Sequence, residues 1–174
     1  MEVCSENAGR LSAVDNFSFR YAEEKDVPLV IAFVRELAEY EKLLDEVDTS
    51  EELYRRWLFE KQSAKVIFAM ENGVEVGFAL FFHNFSTFLG RSGIYLEDLF
   101  VKPEKRGRGY GKALLKKLAE IAVEEGCGRL EFVCLDWNKP SIDFYRALSA
   151  KSMDDWTIYR FEGDSLEKLA SFEE

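Results

Sequence analysis

A glycine-rich turn between a predicted strand and a long predicted helix constrains the fold of this chain more than any other feature. The turn, Arg106-Gly107-Arg108-Gly109-Tyr110-Gly111, follows residues 94–101, which are mostly apolar. After it, residues 110–125 carry apolar side chains at helical spacing up to Gly126, a residue typical of helix ends, and residues 130–135 are again mostly apolar. This order predicts a strand, a helix and a second strand parallel to the first, joined by a right-handed crossover.

The first third of the chain predicts a strand followed by two helices. Residues 17–21 alternate bulky and polar side chains, as a half-buried strand does. Asp26 before Pro28 predicts the start of an amphipathic helix that continues to about residue 41. A second helix is expected to open at Thr49 or Ser50. It is expected to bury three side chains in the core, namely Leu53, Trp57 and Leu58.

A hairpin is the clearest local pattern in the middle of the chain. Residues 66–70 and 74–82 are rich in β-forming side chains, and Asn72-Gly73 between them is typical of a two-residue type I′ turn. The hairpin is antiparallel, whereas the strands around the long helix are parallel. With a further helix at residues 140–148 and a last strand at 156–161, the sequence predicts an α/β fold with a mixed sheet and helices on both faces.

Composition and charge narrow the classes of function. A chain of 174 residues is enough for one domain, which we expect at residues 16–174 after a loose polar tail at 1–15. Lys plus Arg total 23 against 33 Asp plus Glu, a net charge of −10 that disfavours nucleic acid and anionic membranes as partners. The chain has 3 Cys and 1 His, with no spacing typical of a zinc site, so no metal is expected. The odd cysteine count and the absence of an apolar leader predict a cytoplasmic protein.

The glycine-rich turn itself predicts an anion site. It is not a P-loop, because residue 106 is Arg rather than Gly and Ala113 stands where Ser or Thr is needed. It is not a dinucleotide-binding turn either, because Gly111 comes one residue too early. What remains is a turn whose backbone N–H groups converge at a helix N-terminus, where the helix dipole favours a pyrophosphate. The alternative is a flexible basic loop without a ligand.

The motif Arg106-x-x-Gly109-x-Gly111 after the strand Leu96-Glu97-Asp98-Leu99-Phe100-Val101 resembles the acetyl-CoA signature of the GNAT superfamily of N-acetyltransferases. Three further segments are most similar to its spermidine/spermine (diamine) group: Glu36-Leu37-Ala38-x-Tyr40-Glu41, Tyr95-Leu96-Glu97-Asp98 and Asn138-x-Pro140-Ser141-Ile142-x-Phe144-Tyr145. The resemblance covers about residues 17–162. It implies a mostly antiparallel sheet flanked by helices, in which a splayed pair of parallel strands forms the acetyl-CoA groove.

The resemblance also implies which residues bind acetyl-CoA. Backbone groups of one strand would contact the pantetheine arm, at Leu99, Phe100 and Val101. The turn would hold the pyrophosphate, through Arg106, Gly107, Arg108, Gly109, Tyr110, Gly111 and Lys112. Asn138 and Ser141 would line the far side of the groove.

Two residues carry the chemistry in this analogy. Tyr145 would be the general acid that protonates the leaving thiolate, and Glu97 the base that takes a proton from the amine, directly or through water. Tyr40, Glu41, Glu97 and Trp156 would form the pocket for a small primary amine. Each residue also has an ordinary structural interpretation: Tyr145 as a packing residue, and Glu97 with Asp98 as a charged strand end.

Two differences from the family's sequence pattern leave the identity of the amine substrate undecided. Ser149-Ala150 stands where the family has Gly, and residues 84–88 lack an acid and a Trp that the diamine enzymes carry. The amine is therefore a diamine, a polyamine or a lysine-like amino acid. Two alternatives stay open, a protein or peptide N-acetyltransferase and an acyl-CoA sensor without turnover. By analogy we expect a homodimer, with residues 165–172 contributing to the shared surface.

Overall fold

The structure is a computed structural model that describes residues 16–172, and the tail expected at residues 1–15 lies outside them. Contacts divide the chain after Val133 into two compact units. No helix within residues 16–172 is long and apolar enough to cross a membrane. The main elements are, in order, β1 (Phe17–Tyr21), α1 (Val27–Glu41), α2 (Glu51–Tyr54), β2 (Lys65–Glu71), β3 (Val74–Ser86), β4 (Arg91–Val101), α3 (Tyr110–Glu124), β5 (Leu130–Glu131), α4 (Lys139–Ala147) and α5 (Asp164–Ala170).

The first unit is built on one five-stranded sheet with the strand order β1-β2-β3-β4-β5. Neighbouring strands are antiparallel except β4 and β5, which are parallel and connected through α3. The predicted fold class is therefore confirmed. The hairpin is also confirmed: Asn72 and Gly73 have φ angles of 52° and 80°, both left-handed as a type I′ turn requires.

A cluster of phenylalanines joins α1 to one face of the sheet. The Phe33 ring of α1 lies 5.8 Å from Phe68, 5.3 Å from Phe78 and 6.4 Å from Phe100, measured between ring centroids. Side chains alternate between the faces of a strand, so Ile67 on β2 points to the opposite face, where it is also buried. The long helix α3 packs against β3 and β4. Both faces of the sheet are thus covered, as expected.

The second helix starts where the sequence predicts but buries different side chains. The Ser50 hydroxyl accepts the Leu53 N–H at 3.3 Å, a regular N-cap. Leu53 and Trp57, expected in the core, are 44% and 49% exposed. After α2 the chain continues as a π-helical turn at Arg55–Glu60, and its wider winding changes which side chains face the sheet. Leu58 does pack against the core, together with Tyr54.

The second unit contains α4 close to the predicted position. The prediction of a strand at residues 156–161 is wrong. The described part of this unit, residues 134–172, contains two helices and no strand. A β-forming sequence becomes a strand only when another strand accepts its backbone hydrogen bonds, and none pairs with it here. Ser149, which replaces the expected glycine after α4, has a φ of 67°. The left-handed backbone there is therefore retained without glycine.

Candidate active site

The edge of β4 that faces β5 is mostly open. β5 pairs with β4 only through Ile94 with Leu130 and Tyr95 with Glu131, so the strand expected at residues 130–135 is much shorter. From residue 96 to 101, this edge of β4 has no strand partner among the described residues. The three residues predicted to contact the pantetheine arm, Leu99, Phe100 and Val101, lie in this stretch. An unpaired strand edge offers N–H and C=O groups to an extended ligand.

A β-bulge interrupts β4 at the candidate base. Leu80 of β3 lies opposite Asp98, but the next residue, Phe81, lies opposite Leu96, so Glu97 is the extra residue on β4. A bulge breaks the alternation of side chains, so the adjacent acids Glu97 and Asp98 need not point to opposite faces of the sheet. Glu97 is exposed, whereas Asp98 is half-buried.

Asp98 is the electrostatically perturbed acid of this region, and sequence reasoning did not single it out. Burial raises the pKa of Asp98 to about 7, and repulsion from the Glu97 and Glu41 carboxylates adds to the effect. Burial also raises the pKa of Glu41, and that of the Tyr54 phenol, which the Asp98 charge raises further. Glu41, Glu97 and Asp98 thus form a carboxylate cluster, the name used below for these three residues. Such a cluster favours a bound cation and can accept a proton near neutral pH.

The glycine-rich turn lies at the N-terminus of α3, as the sequence predicts. Gly109 is the N-cap residue, with a φ of 93°, and Gly107 has a φ of 74°. Both angles are left-handed, a conformation that glycine adopts without strain. The first N–H groups of α3 have no partner within the helix, so this end of α3 can bind an anion.

The two arginines of the turn contact protein groups. Arg106 donates from Nε to the Val101 carbonyl at 3.0 Å, and its guanidinium lies 4.5 Å from the centroid of the Tyr40 ring. Arg108 forms an ion pair with Glu71 at the end of β2. Tyr40, predicted to line the amine pocket, is thus covered on one face by a residue of the predicted pyrophosphate turn.

The other predicted site residues lie in the second unit. Asn138 is the N-cap of α4, 5% exposed, and its Oδ1 accepts the Ser141 N–H at 3.3 Å. Tyr145 is half-buried on α4, with its ring 5.2 Å from that of Phe144. Trp156 lies in an irregular segment and is 71% exposed.

One group of side chains in the first unit has the donor types of a metal site, although the sequence predicts none. The ligand atoms of His83, Glu125 and Cys127 lie within 4.8 Å of one another. His83 Nε2 is 2.5 Å from the Glu125 carboxylate, and Lys65 Nζ is 3.8 Å from the same group. Burial, with the Glu125 charge, raises the pKa of the Cys127 thiol. The Glu125 carboxylate is thus contacted by both His83 and Lys65.

The sequence profile of the "Acetyltransferase (GNAT) family" matches residues 31–149. A thialysine N-epsilon-acetyltransferase from Bos taurus is 41% identical over 163 residues, which cover 87% of this chain and 95% of that protein. A spermidine/spermine N(1)-acetyltransferase-like protein 1 from Homo sapiens is 30% identical, over 92% of this chain but 25% of that protein. Among solved structures, an integron cassette protein of V. cholerae superposes with a TM-score of 0.76 and 30% identity, covering 90% of this chain and 98% of the other.

An open strand edge beside a glycine-rich helix N-terminus, together with these matches, defines the class of the protein. The chain belongs to the GNAT family of acetyltransferases. It is an N-acetyltransferase, and acetyl-CoA is the acetyl donor of this family. The family resemblance read from the sequence is thereby confirmed.

Proposed function

We propose that this enzyme transfers the acetyl group of acetyl-CoA to the terminal primary amine of a lysine-like amino acid. The observation that carries the proposal is the carboxylate cluster, whose acids repel one another at Asp98. A bound ammonium group relieves that repulsion. The relative whose name specifies thialysine, a lysine analogue, matches nearly the whole chain and supports the same substrate class.

The carboxylate cluster serves both binding and proton removal. An alkyl amine has a pKa near 10.4, so it arrives protonated and cannot attack a thioester until it loses a proton. Asp98, with a pKa of about 7, is matched to accepting that proton near neutral pH. Glu97, the base expected from the resemblance, is exposed and holds the same role through water. The family resemblance adds Tyr40, Glu41 and Trp156 to the proposed amine-binding residues.

Acetyl-CoA binds in this proposal along the open edge of β4 and the N-terminus of α3. Backbone groups of residues 99–101 hold the pantetheine arm, and N–H groups of residues 107–112 hold the pyrophosphate. The family resemblance adds Asn138 and Ser141 to the proposed acetyl-CoA-binding residues. The left-handed φ angles of Gly107 and Gly109 support the pyrophosphate assignment, because they form the turn that exposes the N–H groups.

The chemistry is a direct attack without an acyl-enzyme. The neutral amine nitrogen forms a bond to the thioester carbon while the carboxylate cluster holds its proton. The Leu99 N–H stabilises the negative charge on the carbonyl oxygen. The C–S bond then breaks, and the departing thiolate, with a pKa near 8.5, takes the Tyr145 phenolic proton. The amine nitrogen loses its second proton as the amide forms, and this proton restores the Tyr145 phenol.

A screen of amines by free-CoA release tests the proposal. We expect the highest kcat/KM with thialysine, then with lysine or ornithine, and lower values with putrescine and spermidine. A peptide with an internal lysine serves as the competitor of a different class. Preference for the peptide would contradict the small-molecule assignment, and acetyl-CoA binding without turnover on any amine would indicate a sensor.

The assembly and location are part of the same proposal. We propose a homodimer of a single catalytic domain, residues 16–174, acting in the cytoplasm on small amines rather than on nucleic acid or membranes. Three apolar side chains near the end of the chain are exposed and available for an interface: Leu166 (53%), Leu169 (52%) and Phe172 (76%). Light scattering on the purified protein measures the mass, and a monomer at micromolar concentration would contradict the dimer.

A further inference from the structure

Glu71 is a buried acid that the reaction does not use. It is the last residue of β2 and is 6% exposed. Its partners all come from one short segment after β4. They are the ammonium group of Lys105, the guanidinium of Arg108 and the hydroxyl of Tyr110, which donates a hydrogen bond.

Burial makes this arrangement costly to break. A buried carboxylate loses its hydration and is stable only when charged or hydrogen-bonding partners replace the water. The Lys105 and Tyr110 hydrogen bonds, with the Arg108 and Lys105 charges, hold the pKa of Glu71 below its usual range. Tyr110 is itself only 4% exposed, and its ring lies 5.4 Å from that of Phe17 on β1. Glu71 therefore ties the segment 105–110 to the sheet as a charged group.

The same segment contains the turn at the N-terminus of α3. Lys105 and Tyr110 flank the two left-handed glycines, so Glu71 fixes both ends of the turn. Arg108, in the middle, is directed toward Glu71. With Arg106 bonded to the Val101 carbonyl, both arginines of the turn engage the protein, and the anion is left to the backbone N–H groups.

We propose that Glu71 is a positioning residue for the pyrophosphate of acetyl-CoA: it holds residues 105–110 in the conformation that exposes their backbone N–H groups and retains Arg108 away from the phosphates. This inference rests on the proposed binding of acetyl-CoA at the α3 N-terminus. It predicts that losing the Glu71 charge weakens the binding of acetyl-CoA only through the contacts with its pyrophosphate. The amine site and the chemical step are unaffected.

The test compares acetyl-CoA with S-acetylpantetheine, a donor that lacks the pyrophosphate. For Glu71→Gln we expect KM for acetyl-CoA to rise about tenfold, while kcat, KM for the amine and kcat/KM with S-acetylpantetheine stay within about twofold. Glu75→Gln is the matched control, because Glu75 lies on the neighbouring strand and pairs with Arg20 at 2.5 Å instead of with the turn. It should leave both donors unchanged.

Other outcomes separate the rival explanations. Equal losses of kcat/KM with both donors would overturn the proposal, since the effect of a general structural defect does not depend on the pyrophosphate. Tighter acetyl-CoA binding in Glu71→Gln would also overturn it, because Glu71 would then compete with the phosphates for Arg108. If the unsubstituted enzyme uses both donors equally well, the proposed pyrophosphate site itself fails, and the inference fails with it.

Two further variants keep the proposal testable if Glu71→Gln does not fold. Tyr110→Phe retains the buried ring and removes only the hydroxyl that bonds Glu71. It should raise KM for acetyl-CoA by a smaller factor, about threefold, with no effect on S-acetylpantetheine. When combined with Glu71→Gln, Arg108→Gln should not raise KM for acetyl-CoA further, because the two residues act as one unit. Additive losses would show that Arg108 contacts the phosphates itself.

Discussion

At the scale of single residues, the raised pKa of Asp98 lowers the stability of the folded enzyme, and the proposed role of this acid in proton removal explains why. Its carboxyl has a reference pKa of 3.8 and a pKa of about 7 in the folded enzyme. Between these values the folded state keeps a proton that the unfolded chain has lost, so stability falls as the pH rises from about 4 to 7. Above pH 7 the full cost is present. A group of this kind is retained where it binds a cation or moves a proton.

Asp98→Asn should therefore stabilise the enzyme at pH 8 and inactivate it. Relative to the original protein, the free energy of unfolding is expected to be unchanged below pH 4 and higher at pH 8, by at most on the order of 4 kcal/mol. The kcat/KM for the amine should fall roughly 100-fold, with KM for acetyl-CoA unchanged. Urea unfolding at both pH values and steady-state kinetics measure the two effects.

The control for Asp98→Asn is Glu124→Gln, which removes the same charge from an exposed position at the end of α3. It should change neither the stability difference between pH 4 and 8 nor the kinetics. Retention of normal amine kinetics in Asp98→Asn would assign proton removal to Glu97 alone. A pH profile of kcat/KM that keeps its group near 7 in the variant would show that Asp98 is not that group.

Tyr145 is the proposed general acid, and a single hydroxyl group would carry this role. Tyr145→Phe keeps the ring that packs against Phe144 and removes the proton that we propose for the leaving thiolate. Turnover should fall roughly 100-fold, while acetyl-CoA affinity measured by calorimetry stays the same. Near-normal turnover at saturating amine would mean that water or another acid protonates the thiolate.

At the scale of elements, sequence patterns predicted the turns and helix ends that depend on local residues. They missed the features that depend on pairing between strands. The hairpin follows from Asn72-Gly73, and the ends of α3 follow from Gly109 and Gly126, because these residues readily adopt the left-handed angles that the turn and the helix ends require. The bulge at Glu97 has no local signature, since it depends on the register that β3 imposes. The pattern of side chains along β4 therefore gave no indication that Asp98 is the perturbed acid.

The same limit explains the remaining errors. The strand expected at residues 156–161 has β-forming side chains, but the sequence does not say whether a partner strand will be present. The π-helical turn after α2 shifts the buried face by a fraction of a turn, which leaves Trp57 outside the core. Leu53 precedes this turn and is exposed as well. The sequence shows Glu71 as an acid at the end of an otherwise apolar strand. It does not show the partners of Glu71, which lie more than thirty residues away in sequence.

The N-terminus of α3 gives a prediction at this scale. In Gly109→Val, a branched side chain on a backbone with a φ of 93° strains the turn, so acetyl-CoA should bind at least about tenfold more weakly. Gly126→Val is the matched control, because Gly126, with a φ of 69°, lies just beyond the other end of α3. It should lower stability by a similar amount without changing affinity. Equal calorimetric affinities in the two folded variants would remove the pyrophosphate assignment.

At the scale of the whole molecule, the net charge of −10 attracts any polyamine, and specificity has to be separated from that attraction. A long polyamine needs a remote carboxylate for its second ammonium group. In the β3–β4 turn, the position where the diamine enzymes carry an acid is Ser86, which is 7% exposed and accepts the Leu89 N–H at 3.3 Å. It is neutral and already bonded. A missing charge-assisted contact of roughly 1.5 to 3 kcal/mol corresponds to a ten- to 150-fold loss of specificity.

We therefore expect kcat/KM for spermine to remain below that for thialysine or a short diamine at physiological ionic strength. At low salt the gap should narrow, because the surface charge raises the local concentration of a tetracation, and it should widen again as salt screens that field. The values for the zwitterionic amino acid should change much less. Kinetics with each amine at about 20 and 150 mM salt measure both effects. Spermine preferred at both ionic strengths would show that acids outside this turn supply the second anchor, and the substrate class would then be polyamines.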